Sequence, residues 1–180
     1  LITIGRNSSL DNRKEEGDFN LADAEKSLIR TVSQAFQAQG KKAIVILNIA
    51  GVIETTSWRD IPDAILLAWQ PRQEVGNSIV DVISGKVNPS GKLATTFPVS
   101  YQDVPSAKNF PGIELEVPEP ENAEEELAEL IYEEDIYVGY RYYNTFDVPV
   151  AYEFGYGLSY AQFEYDNVQI SSRKFKTTLT

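Results

Sequence analysis

Carboxylates and aromatic rings are the side chains with which this 180-residue chain could do chemistry, because it contains neither histidine nor cysteine. The absence of histidine removes the commonest general base, the usual zinc ligand and every Ser-His-Asp arrangement. The absence of cysteine removes thiolate sites and disulfides, and it leaves the redox compartment undetermined. Acid–base chemistry in this chain therefore points first to Asp and Glu.

The acidic side chains are concentrated in one stretch, Glu114 to Asp135, which contains no basic residue. Acids and bases balance in the rest of the chain, so the net charge of −11 belongs to this stretch. The chain therefore has no basic surface suited to nucleic acid. Carboxylate oxygens suit calcium, but their spacing matches no EF-hand loop. We expect a solvated acidic loop with a short helix over Ala123 to Leu130, which is built of strong helix formers.

Eight of the ten tyrosines fall between Tyr132 and Tyr160. Gly139, Gly155 and Gly157 are spaced to let the backbone turn or approach closely between the rings. The composition favours an irregular segment that covers a core over a platform for a ligand. Trp58 and Trp69 are likewise either platforms for a ligand or structural rings, and the structural interpretation is favoured.

Hydrophobic periodicity predicts alternating strands and helices along the first half of the chain. The first strand, Leu1 to Ile4, leads into a polar loop over Gly5 to Gly17. The following helix has Asn20 at its N-cap and ends at Gly40. The remaining predicted elements are strands Ala43–Ala50 and Asp63–Trp69, a helix from Pro71 to about Ser84 ended by Gly85, a short strand Leu93–Phe97 closed by Pro98, and a strand Phe163–Ile170.

This order predicts an α/β fold: a partial, mostly parallel sheet flanked by helices (an α/β sandwich), followed by a long irregular Tyr-rich segment and one β-strand. No run approaches the roughly 18 apolar residues of a membrane span, and no signal peptide is visible. Because the chain opens inside an apolar run, we expect it to be a piece of a larger protein. Gln73 and Glu74 lie at the carboxyl end of a predicted strand and at the N-terminus of the next helix. This position suits either a ligand site or helix capping.

Three segments together resemble the family 3 glycoside hydrolases, most closely bacterial β-glucosidases. They are AILLAWQPRQEVGNSIVDVISGKVNPSGKLATTFP, YEEDIYVGYRYYNTF and AYEFGYGLSYAQFEY, and IGRNSSLDNR precedes them in the family's order. The resemblance covers nearly all of the chain, with the acidic stretch matching least. It implies a barrel domain, an α/β sandwich and often a fibronectin-like domain. Residues 1–160 would be the C-terminal half of the sandwich and residues 161–180 the start of a fibronectin type III-like domain.

The resemblance also implies retaining hydrolysis of β-glucosides by an aspartate nucleophile and a glutamate acid/base, with no cofactor and no metal. The nucleophile belongs to the barrel, which is absent here. The family shows Gly-Arg, then Ser-Gly-Glu-Gly and an arginine two residues later. Here that stretch is one residue shorter, and the glutamate position falls on Ser9 or Leu10. Asp11 is the nearest carboxylate and the acid/base candidate, with an ordinary loop carboxylate paired to Arg13 as its alternative.

Arg6 and Arg13 flank this loop and are candidates to orient a carboxylate or to bind a sugar hydroxyl, with Trp69 as a further substrate-binding candidate. The leading hypothesis is the active-site wall of a β-glucosidase that faces a barrel domain, in cis or on a separate chain. Its substrate is a β-glucoside or oligosaccharide, and its partners include neither nucleic acid nor membrane. The alternative is a non-catalytic carbohydrate-binding or structural module with a degenerate loop. A third possibility is an engineered fragment, whose unpaired sheet edge would aggregate or pair with its missing half. The compartment stays unassigned.

Overall fold

The computed structural model describes residues 1–6, 19–71, 73–110, 112–114 and 128–172. Ten strands and helices lie within these residues, together with a single 3₁₀ turn at Tyr101–Asp103. In chain order they are β1 (Ile2–Gly5), α1 (Asp23–Gln37), β2 (Ile44–Asn48), β3 (Ala64–Leu67), α2 (Val75–Ile83), β4 (Phe97–Pro98), β5 (Ile113–Glu114), β6 (Ala128–Glu129), α3 (Tyr140–Thr145) and β7 (Val150–Tyr152).

The core is built on a three-stranded parallel sheet with β2 between β1 and β3. Val45, Ile46 and Leu47 are consecutive residues and all are buried, so both faces of β2 are covered. This confirms the two-sided burial predicted from the continuous apolar run. Trp58 belongs to the same core, with only 1% of its surface exposed. Its indole Nε1–H donates to the Glu54 carbonyl over 2.8 Å.

Helix α1 packs against the sheet with a narrow apolar stripe. Ile29 is fully buried, whereas Leu28 and Phe36 are 47% and 44% exposed. The helix begins after Ala22, not after Asn20 as predicted, because the Glu25 carboxylate accepts the Ala22 N–H over 2.9 Å. A side chain inside the first turn thus satisfies a backbone donor that a capping residue would otherwise satisfy.

The chain between β3 and β4 differs from the prediction at two places. Helix α2 starts at Val75 instead of Pro71, because Glu74 is the N-cap residue, with a φ of −96° and a ψ of 17°. Gly85 ends the helix with a φ of 77°, as predicted. The predicted strand Leu93–Phe97 is limited to β4, which pairs antiparallel with β7. Leu93 instead exchanges backbone hydrogen bonds of 2.8 Å with Gly155 and Tyr156.

Two further segments depart from the predicted elements. Ala128 and Glu129 form β6, antiparallel to β5, so the predicted helix over Ala123–Leu130 is wrong at these positions and its residues 123–127 lie outside the described structure. A cross-strand ladder overrides helix propensity there. Phe163–Ile170 finds no strand partner among the described residues, and Tyr165 is 93% exposed, so this stretch is not a strand.

The Tyr-rich segment, residues 132–160, lies against β4 and the turn that precedes it. It is less irregular than predicted, because it contains α3 and β7. The Tyr160 hydroxyl donates to the Val82 carbonyl over 2.9 Å, and the Phe97 and Tyr152 rings meet edge-on with centroids 5.9 Å apart. Gly157 makes the predicted close approach: a Cβ on it would lie 2.5 Å from the Gly91 carbonyl oxygen.

The replacement Gly157→Ala therefore should force the Tyr-rich segment away from the turn at Gly91. Overpacking of this kind costs about 1–3 kcal/mol of unfolding free energy. We expect a lower Tm and midpoint in urea. Gly91→Ala is the matched control, because a Cβ on Gly91 meets nothing within 4 Å. Equal stability of the two variants would contradict the close-packing argument.

Asp63 ties the amino ends of the sheet to α1. Its carboxylate accepts Lys42 Nζ at 2.8 Å, the Ala43 N–H at 2.9 Å and Gln37 Nε2 at 3.1 Å. The hydrogen bond from Lys42, followed by those from Ala43 and Gln37, lowers the Asp63 pKa from its ordinary 3.8 to about 2. The ionised form is therefore stabilised by folding.

For Asp63→Asn we expect a lower Tm than wild type at pH 7 and a difference that shrinks as the pH falls. The depressed pKa means that the stabilisation is complete above the unfolded value of 3.8 and is lost as the pH falls through about 2. Thermal denaturation from pH 7 to pH 2 measures the difference. Asp60→Asn, three residues away, is the control, and a gap that stays constant with pH would refute the linkage.

Candidate functional site at the carboxyl edge of the sheet

The carboxyl ends of all three core strands meet at one edge, because the strands are parallel. Beyond the strands the pairing continues for one step on each side. The Arg6 N–H donates to the Asn48 carbonyl over 3.1 Å, and the Ala68 N–H donates to the Leu47 carbonyl over 2.9 Å. Open α/β sheets place their ligands at this edge. This edge is therefore the candidate functional site.

Arg6 joins three elements at this edge. Its guanidinium forms a two-bond ion pair with Glu25 of α1, through Nη1 to Oε1 and through Nη2 to Oε2 at 2.6 Å. Its carbonyl accepts a hydrogen bond from Gln70 Nε2, just beyond β3, over 3.1 Å. Arg6 was predicted to orient a carboxylate or to bind substrate. In the structure, its guanidinium binds the carboxylate of Glu25.

Glu25 binds Arg6 at this edge, and the sequence did not single it out as a candidate. Its partner Arg6 lies 19 residues away, and no spacing rule in the sequence connects the two. The hydrogen bonds from Arg6 lower the Glu25 pKa, with further lowering by the Ala22 N–H, while partial burial opposes them. Glu25 therefore stays ionised at neutral pH. It is unsuited to donate a proton.

Trp69 and Gln70 lie at this edge just beyond the end of β3. Trp69 packs partly buried against the core, and its ring centroid lies 6.2 Å from that of Phe97. Its φ of 55° is in the left-handed region, where a bulky residue other than glycine is strained. Such strain of about 1–3 kcal/mol is concentrated at functional positions. No sequence pattern signalled this backbone, because the surrounding residues carry no turn motif at Trp69.

The other sequence candidates fall into three groups. Trp58 is a structural ring, as favoured, since its surface and its N–H are both used inside the core. Glu74 occupies the N-cap position of α2 without capping it, and its Oε2 accepts Asn77 Nδ2 at 2.6 Å instead. Gln73 and Glu74 line an open concavity together with Pro71 and Ser78. Asp11 and Arg13 lie outside the described residues.

A second concavity, of about 160 Å³, lies between α3 and β7 in the Tyr-rich segment. The Tyr140 and Phe154 rings at its rim are 4.9 Å apart, and Tyr143 at its side is only 5% exposed. Burial, with a smaller contribution from the charge of Asp103, raises the Tyr143 pKa to about 12, so its phenol stays protonated. The segment thus covers the core at Tyr143 and leaves other rings exposed.

Within the described part of the chain, no three acidic side chains come together in a way that could hold a metal ion. The described helices also include none that is both long and apolar enough to cross a membrane.

The comparisons with known proteins agree with this fold and with the resemblance seen in the sequence. The family model described as the glycosyl hydrolase family 3 C-terminal domain matches residues 1–140. Beta-glucosidase A of Butyrivibrio fibrisolvens is 39% identical over 156 residues, which cover 83% of this chain and 16% of that protein.

Two solved structures give the same result. Beta-glucosidase 3B from Thermotoga neapolitana, solved in complex with glucose, superposes with a TM-score of 0.81 at 52% identity over 96% of this chain and 23% of its own. A beta-glucosidase from Paenibacillus barengoltzii gives a TM-score of 0.72 at 32% identity, over 89% of this chain and 16% of its own. The chain therefore spans less than a quarter of these relatives. With its α/β architecture and motifs matched along most of its length, it belongs to glycosyl hydrolase family 3 as a C-terminal domain of that family.

Proposed function

We propose that this chain forms one wall of the active site of a retaining β-glucosidase, which hydrolyses terminal β-D-glucosyl residues of a β-glucoside or oligosaccharide. The wall is the carboxyl edge of the sheet. The observation that carries the proposal is the position of Arg6: in a member of this family, the segment in which the acid/base belongs starts from the sheet at this edge. Gln70, which follows Trp69 in the chain, binds the Arg6 carbonyl at that starting point.

The chemistry divides between this chain and a partner domain. Retaining hydrolysis needs one carboxylate as nucleophile and a second carboxyl group that protonates the leaving oxygen and later activates water. The nucleophile comes from a barrel domain, in the same polypeptide or on another chain. Asp11 supplies the acid/base from segment 7–18, provided that its shorter side chain reaches the leaving oxygen. Arg13, in the same segment, is a substrate-binding candidate beside it.

We also propose the domain boundary that the sequence predicted. Residues 1–160 form the second half of the sandwich, and residues 161–180 begin a fibronectin type III-like domain. Support comes from the exposure of apolar side chains just past position 160, which a further domain would cover. They are Phe163, Tyr165, Val168 and Ile170.

A second function is favoured by one feature of the sequence. The segment after Arg6 is one residue shorter than the family pattern, and Ser9 or Leu10 takes the place of the glutamate. Neither side chain can protonate a glycosidic oxygen. A chain without the acid would serve as a non-catalytic carbohydrate-binding or structural module. The two functions differ in their reaction with activated substrates, which need little protonation of the leaving group.

We expect the isolated 180-residue chain to release no 4-nitrophenol from 4-nitrophenyl β-glucoside, because it lacks the nucleophile. The complete polypeptide that carries it should hydrolyse the same substrate with retention, so that proton NMR detects β-glucose first. Hydrolysis by the isolated chain would overturn the division of roles. A complete polypeptide that cleaves neither this substrate nor a dinitrophenyl β-glucoside would favour the binding module.

Replacement of the candidate acid tests the assignment within segment 7–18. In the complete polypeptide, Asp11→Ala should lower kcat/KM for methyl β-glucoside by about 10²–10⁴-fold, the usual contribution of general acid catalysis. Azide should restore turnover of 2,4-dinitrophenyl β-glucoside and yield β-glucosyl azide. Glu16→Ala, in the same segment, is the control. Unchanged kcat/KM in Asp11→Ala would show that the acid lies elsewhere.

A further inference from the structure

The ion pair between Arg6 and Glu25 has a geometry that few other residue pairs could reproduce. Two parallel N–H···O bonds join the planar guanidinium to both carboxylate oxygens, and the Glu25 carboxylate also accepts the Ala22 N–H over 2.9 Å. Both side chains are about three-quarters covered, with 24% and 23% of their surface exposed. A fork of this kind fixes orientation as well as distance, and neither lysine nor glutamine can replace it.

The pair also holds the chain on both sides of segment 7–18. The segment starts directly after Arg6, and the chain that follows it is fixed at three points. Phe19 is buried and its carbonyl accepts the Glu54 N–H over 2.8 Å, Leu21 is buried in the core, and Ala22 is bound to Glu25. Glu25 thus binds residues on both sides of the segment. Gln70 holds the Arg6 carbonyl from the side of β3.

We propose that Glu25 is a positioning residue for the acid/base step: by holding Arg6 and Ala22 at once, it fixes where segment 7–18 enters and leaves the carboxyl edge. The inference rests on the proposed function of that edge. Arg6 serves the same purpose, because its guanidinium holds the Glu25 carboxylate. A general acid displaced by about 1 Å can lose about a hundredfold in rate, so anchoring at both ends matters for catalysis.

The test compares substrates that differ in their need for protonation, in the complete polypeptide that carries this chain. In Glu25→Gln, we expect kcat/KM for methyl β-glucoside to fall at least tenfold, since its leaving group needs the acid. The value for 2,4-dinitrophenyl β-glucoside should stay within threefold of wild type. Using kcat/KM restricts the comparison to formation of the glycosyl-enzyme. Arg6→Lys, which keeps the charge but not the fork, should show the same imbalance and serves if Glu25→Gln does not fold.

Asp63→Asn is the matched control, because Asp63 also joins a cation to a backbone N–H but lies at the amino edge of the sheet. It should lower Tm and leave the ratio of the two kcat/KM values unchanged. An equal loss on both substrates in Glu25→Gln, or the same imbalance in Asp63→Asn, would overturn the positioning role alone. A wild-type polypeptide without activity on either β-glucoside would overturn the proposed function and this inference with it.

Discussion

Two-sided burial of β2 is the constraint from which the rest of the described structure takes its arrangement. β2 also pairs on both of its edges, in parallel with β1 on one side and with β3 on the other. Parallel pairing sends every connection back across the sheet, which puts α1 between β1 and β2 in sequence and against the sheet in space. It also brings three strand exits to one edge. The candidate site is therefore a consequence of how the core is covered.

Helix α1 depends on polar bonds at its two ends because its apolar stripe is narrow. Ile29 packs fully into the core, but Leu28 and Phe36 remain almost half exposed. Glu25 fixes the first turn to Arg6 at the carboxyl edge, and Gln37 in the last turn binds Asp63 at the amino edge. One carboxylate at each edge thus holds one end of the helix, in addition to the burial of Ile29.

The sequence predicted the elements whose cause is local and missed those whose cause is distant. The apolar run of β2 and the helix stop at Gly85 follow from residues a few positions apart. Arg6 was named as a candidate, but Glu25 is 19 residues away and no spacing rule connects them. The left-handed backbone of Trp69 carries no local turn motif, and β6 depends on pairing with β5. The family was identified from ordered motifs, which carry information that periodicity does not.

Trp69 links the packing of the core to the rigidity of the carboxyl edge. A left-handed tryptophan persists only where its surroundings hold it, and here its ring packs against the core and faces Phe97, which β7 covers in turn. The strained residue directly precedes Gln70, so the orientation that lets Gln70 reach the Arg6 carbonyl is fixed by the same packing. The β4–β7 ladder is therefore in contact with the residue that precedes Gln70, through the Phe97 and Trp69 rings. A rigid edge suits the proposed division of roles, because an acid/base held on this chain has to stay in register with a nucleophile held on another domain.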